Sequence, residues 1–97
     1  MQSLSSEMQT KITDILALYP VSRAAIFGSF ARSEATDQSD IDILVDFYQP
    51  VGARFFGLKQ DIEEAIERPV DLFRYADIMR SDKSQYVLKE ATTIYVR

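Results

Sequence analysis

The chain has 97 residues, 46% hydrophobic, 11% aromatic and 27% charged, which allows one modest core of ordinary globular composition. With no cysteine there is no disulfide scaffold, thiolate zinc site or cysteine nucleophile; with no histidine there is no imidazole acid–base chemistry, His-ligated metal or Ser-His-Asp triad. Eleven basic against fifteen acidic residues give a net charge of −4, which argues against DNA or RNA as a direct partner, because phosphate neutralisation dominates such binding. Chemistry is left to carboxylates, hydroxyls, Arg and Lys. The apolar stretches are too short to span a membrane, and the opening MQSLSSEMQT lacks the basic start and apolar run of a signal peptide. The expectation is a cytoplasmic protein with no membrane partner.

In chain order, Met8, Ile12, Ile15, Leu16 and Tyr19 recur at helical spacing and predict an amphipathic helix from Ser6 to Tyr19, with Ser6 and Gln9 as a capping box and Pro20 as the stop. SRAAIF, Ser22 to Phe27, reads as a strand closed by Gly28. Ser29 to Glu34 has room for one or two helical turns, and ATDQSD is a polar loop. DIDILVDF, Asp40 to Phe47, is the clearest strand, with Ile41, Ile43 and Val45 on one face and Asp40, Asp42, Leu44 and Asp46 on the other. A second helix from Ala53 to Arg68 carries the stripe Phe55, Leu58, Ile62, Ala65 and Ile66. VDLFRY, Val70 to Tyr75, is a third strand. Ser81 to Ala91 is a weakly patterned helix, and TTIYVR closes the chain as a strand. The fold expected is one α/β (α+β) domain over residues 1–97, with a mixed sheet of about four strands covered by helices.

Three features carry chemistry. Gly28-Ser29 stands where a strand ends and a helix begins; free backbone N–H groups and a serine hydroxyl there suit a phosphate, and Arg32 lies one turn on, within reach of the same anion. Asp40 and Asp42, two apart on a strand, point both carboxylates out of one face, which favours a hard cation such as Mg²⁺. Asp71 joins that face if VDLFRY lies beside DIDILV.

The combination is more specific than its parts. Gly28-Ser29, ten residues, then Asp40-Ile41-Asp42 resembles the G-S-x10-D-x-D signature of the DNA polymerase beta-like nucleotidyltransferase superfamily; at this composition chance produces it on the order of once in several hundred such chains. The run Ile26 to Glu34 (IFGSFARSE) and Ser39 to Val45 (SDIDILV) is similar to the "FGSxARGE" and "SDIDLLV" of the minimal nucleotidyltransferases, departing at Ser33, where glycine is common. That resemblance implies a nucleotidyltransferase in which Asp40, Asp42 and Asp71 hold two Mg²⁺ ions and are the catalytic set. Gly28, Ser29 and Arg32 hold the phosphates of the NTP, taken as ATP. It also implies an antitoxin role, with AMP transferred to a hydroxyl, a tyrosine above all, of a HEPN-type ribonuclease toxin. Two alternatives stand beside it: a non-catalytic antitoxin that acts by binding, and the catalytic core of a small-molecule (antibiotic) nucleotidyltransferase.

Overall fold

The structure, a computed structural model, describes residues 4–97, so the first three residues of MQSLSSEMQT lie outside it. Helix α1 (Ser6–Leu16) begins one residue earlier than the capping box places it. Ser5, extended at φ −72° and ψ 157°, is the cap, and its Oγ accepts the Met8 N–H at 3.1 Å. Ile12 and Leu16 are fully buried, while Leu18 and Tyr19 continue in turns rather than in the helix. Strand β1 (Val21–Phe27) follows, then β2 (Ile41–Phe47), α2 (Arg54–Ile66), β3 (Val70–Arg74), two short helices α3 (Tyr75–Met79) and α4 (Ser84–Glu90), and β4 (Thr92–Val96). The single helix expected at Ser81–Ala91 is thus α4 alone, and α3 takes over Tyr75 from the end of the third predicted strand.

The sheet order is β3-β2-β1-β4, mixed as expected. β1 runs antiparallel to both β2 and β4, whereas β2 and β3 are parallel and need α2 as their crossover. One sheet face buries Val21, Ala24, Ile26, Ile41, Ile43 and Val45 against Ile12 and Leu16 of α1 and Leu58 and Ile62 of α2. The other face packs Ala25 and Leu44 under Tyr75 of α3 and Val87 of α4. Cover on both faces explains why β1 reads as an apolar run, Ala24-Ala25-Ile26, rather than as an alternation. Among the described residues, no helix is long and apolar enough to cross a membrane.

The segment after Gly28 departs from expectation. It is one hydrogen-bonded turn, not a helix. Arg32 N–H donates to Gly28 O at 3.1 Å, Ser33 N–H to Phe30 O at 3.3 Å and Glu34 N–H to Ser29 O at 2.8 Å. The last two bonds form the pattern that closes a helix through a left-handed residue, and Ser33 is that residue, at φ 59°. This is where minimal nucleotidyltransferases commonly carry glycine. Serine does not extend a helix here, as its propensity allows; it occupies a backbone conformation that costs a residue with a β-carbon about 1 kcal/mol. Ser33→Gly is therefore expected to stabilise the fold by about 0.5–1 kcal/mol despite the added freedom of the unfolded chain, read as a higher midpoint in urea with an unchanged slope.

Candidate active site

The end of β1, the starts of β2 and β3, and the end of α4 meet on the sheet face covered by α3 and α4. Register places the acids. β2 pairs with β3 so that Asp42 lies directly opposite Asp71, and with β1 so that Asp42 lies opposite Phe27. Parallel neighbours at one register position point to the same face, so Asp42 and Asp71 are side by side, as the sequence required of a third acid. Asp40 stands just before β2, exposed, and near enough to act electrostatically on Asp42.

Several contacts fix this arrangement. Arg68 Nη1 donates to Thr36 O at 2.9 Å and Ser39 O at 2.8 Å, and its guanidinium lies 5.0 Å from the centre of the buried Phe30 ring. Ser39 Oγ accepts the Thr36 N–H at 2.8 Å, which closes the loop that presents Asp40. On the far side, Glu63 of α2 accepts the Val70 N–H at 2.9 Å, the residue before Asp71, and this bond holds its carboxyl below the ordinary range. Neither Arg68 nor Glu63 belongs to a motif; only their contacts reveal them as positioning residues.

Gly28 contributes through the side chain it lacks. At φ 74° it is left-handed, and a β-carbon there would land on Asp42 Oδ2. The sequence motivates glycine by the close approach of an anion; the structure adds that the space is already used by Asp42. The Gly28 N–H donates to Glu90 Oε1 at 2.9 Å. Arg32 Nη1 donates to the same carboxylate, at 2.9 Å to Oε1 and 3.1 Å to Oε2, while Arg32 Nε donates to Glu34 Oε2 at 3.0 Å. Gly28 and Arg32, expected to hold a phosphate, thus converge in this structure on the carboxylate of Glu90. Ser29 starts the turn beside them. Glu90 was invisible to sequence reasoning because it lies 62 residues from Gly28 and in no recognisable pattern.

Asp42 is half-buried, on the face where Phe27 and Phe73 bring their rings to 5.5 Å. Burial, then the charge of Asp71, a hydrogen bond with Asp71 and the charge of Asp40 raise its pKa from 3.8 to about 6, against a smaller opposing pull from Arg32. A carboxylate whose charge is made costly by burial and by neighbouring acids is a place where a divalent cation is favoured, and carboxylate oxygens are the ligands Mg²⁺ takes. Among the described residues, no three such side chains stand close enough to hold an ion by themselves.

The chain matches the family described as polymerase beta, nucleotidyltransferase, over residues 10–97. It is 39% identical over 90 residues to a candidate protein adenylyltransferase of Methanocaldococcus jannaschii, spanning 92% of this chain and 96% of the relative. Its fold is similar to that of a chain in a toxin–antitoxin complex crystallised with AMP-PNP, with a TM-score of 0.75 and 21% identity over 92% of this chain and 73% of that one. It is also similar to a chain in the complex of tri-AMPylated Shewanella oneidensis HEPN toxin with MNT antitoxin, with a TM-score of 0.67 and 20% identity over 93% of this chain and 71% of that one. The chain belongs to the polymerase beta-type nucleotidyltransferase family.

Two outcomes follow from the site's geometry. The raised pKa of Asp42 means that its charged form opposes folding. The stability it contributes is intact below the ordinary pKa of 3.8 and is lost as pH rises through about 6. Asp42→Asn is expected to stabilise the metal-free protein at pH 7.5 by about 1 kcal/mol, after allowance for solvent screening of a half-exposed carboxylate. Its advantage over wild type should close as pH falls towards 4, measured by urea denaturation at each pH. Gly28→Ala, by contrast, must displace the Asp42 carboxylate and strain the backbone. It is expected to lower the melting temperature by several degrees, for a loss of about 1–2 kcal/mol.

Proposed function

We propose that this protein transfers AMP from ATP to a hydroxyl, a tyrosine above all, of a HEPN-type toxin partner and so acts as its antitoxin. The observation that carries the reading is the convergence of Gly28 N–H and Arg32 on one anion, beside the paired carboxylates of Asp42 and Asp71. A seat for phosphate next to a seat for a divalent cation is what nucleotidyl transfer demands, since this chemistry depends on positioning and charge neutralisation rather than on a covalent intermediate. The relative from M. jannaschii named as an adenylyltransferase, and the fold shared with chains of toxin–antitoxin complexes, support the choice of AMP and of a protein acceptor.

In this reading Asp40, Asp42 and Asp71, completed by water and the substrate's phosphates, would hold two Mg²⁺ ions, which when bound would supply charge neutralisation on the triphosphate and a lowered pKa for the attacking hydroxyl. Gly28, Ser29 and Arg32 fix the phosphates through backbone and guanidinium donors. The acceptor oxygen forms a bond to the α-phosphorus, the bond from that phosphorus to the pyrophosphate bridge breaks, and pyrophosphate leaves. The hydroxyl proton passes to a carboxylate of the set, with Asp71 exposed at the edge strand to receive it. Asp42 must lose its own proton before it can ligate, so Mg²⁺ affinity should weaken as pH falls through about 6. Every step takes place at carboxylates, hydroxyls and an arginine, consistent with the absence of histidine and cysteine. The place of action is the cytoplasm, where ATP and a ribonuclease toxin meet.

Intact mass spectrometry of the neighbouring gene's product, incubated with this protein, Mg²⁺ and each of the four NTPs in turn, tests the reading. The expected result is a gain in whole units of AMP with ATP alone, lost with EDTA and lost with Asp40→Ala while that variant still binds the partner. If Asp40→Ala neutralises the toxin as well as wild type does, the protein acts by binding. Modification of an antibiotic hydroxyl in place of the partner assigns it to small-molecule transfer.

A further inference from the structure

Glu90 lies outside the carboxylate set, yet its carboxylate accepts the Gly28 N–H. Register explains how it gets there. β4 runs antiparallel to β1 with Thr92 opposite Ile26, so the residue two before Thr92 falls beside the residue two after Ile26, Glu90 against Gly28. Two forces work against a carboxylate in this place. Glu90 is the last residue of α4, where the negative end of the helix dipole disfavours an acid. It also shares the site with Asp40, Asp42 and Asp71, three further negative groups. It is nevertheless well covered, at 21% side-chain exposure against 55% for Glu34, the other acid on Arg32. The Gly28 N–H and the Arg32 guanidinium hold it there, three hydrogen bonds at 2.9–3.1 Å on two oxygens of one anion.

We propose that Glu90 is an internal competitor for the phosphate seat: its carboxylate occupies the position a phosphate of the nucleotide takes, and nucleotide binding exchanges one anion for the other. The proposal rests on the nucleotide reading above and adds to it the residue that sets nucleotide affinity. The exchange is local. Glu34 keeps its bond to Arg32 Nε at 3.0 Å, so the guanidinium stays anchored when Glu90 leaves Nη1. Glu90 already borders an open cleft of about 640 Å³, lined also by Arg32, Gln85, Tyr86 and Lys89, which gives its side chain room outside the seat and a lysine near it. A phosphate group, with its charged terminal oxygens, reproduces what the two Glu90 oxygens offer Gly28 and Arg32. The competition therefore discriminates by phosphate charge rather than by base.

Calorimetric titration of wild type, Glu90→Gln and Glu90→Ala with ATP, inorganic tripolyphosphate and adenosine, at fixed Mg²⁺, tests this. Glu90→Ala is expected to tighten ATP and tripolyphosphate on the order of tenfold, the scale of a lost charge-assisted competitor. Glu90→Gln should gain less, because it keeps an acceptor for Gly28 N–H but loses the charge facing Arg32, and adenosine, which has no phosphate, should bind equally to all three. The gain should shrink when Arg32→Ala is combined with either change. Tripolyphosphate affinity that is unchanged or weaker in both variants overturns the proposal and leaves Glu90 as a support for Arg32. Should Glu90→Ala fail to fold, Glu90→Gln, which preserves shape and an acceptor, decides by the same criterion. Tighter tripolyphosphate binding with no transfer to the partner keeps Glu90's role and removes the enzymatic one; transfer in wild type with no gain in either variant does the reverse.

Discussion

The Asp42 carboxylate fills the volume that a side chain at position 28 would need, and the rest of the site is arranged around that contact. One glycine thereby has three duties. Its left-handed backbone turns the chain out of β1, its missing β-carbon admits Asp42, and its N–H points at an anion. No other residue type satisfies the first two together. The strand pairings then place everything else: β3 beside β2 delivers Asp71 to Asp42, and β4 beside β1 delivers Glu90 to Gly28.

The electrostatics follow from that packing. Burial and two neighbouring acids, Asp71 and Asp40, raise the pKa of Asp42 to about 6, while Arg32 is divided between Glu34 and Glu90. The protein by itself thus holds more negative charge at the site than it can neutralise. An anionic substrate enters such a site only together with cations and only by displacing an acid. Under the function proposed above, metal, nucleotide and Glu90 are linked for that reason, and the net charge of −4 is consistent with local recognition of a phosphate rather than recognition through a basic surface.

The departures from sequence expectation have particular causes. The turn after Gly28 was read as the start of a helix because Phe30, Ala31 and Arg32 allow one, but Phe30 is drawn into the core and Ser33 takes the left-handed position that closes the turn. The cap of α1 moved from Ser6 to Ser5 because two adjacent serines offer the same chemistry and only backbone geometry chooses between them. The weak pattern after Arg74 conceals two helices of five and seven residues, too short for a period to show. Asp46 lies on the interior strand β2 and pairs with Arg23 of β1 at 3.5 Å.

The sequence by itself determined the element types, the apolar stripes that face the core, and the spacing of Gly28-Ser29, Asp40 and Asp42, because periodicity and short motifs are local properties of the chain. It also named Asp71, on the condition that two strands were neighbours. Only the tertiary structure decided that they are, in the register that aligns Asp71 with Asp42. It alone revealed Arg68 and Glu63 as braces of the acid-bearing strands, and Glu90 as the anion on Gly28 and Arg32. Those contacts join residues 7, 29 and 62 positions apart through strand pairing and packing, which are set by the burial of the whole core and leave no mark on the neighbouring sequence.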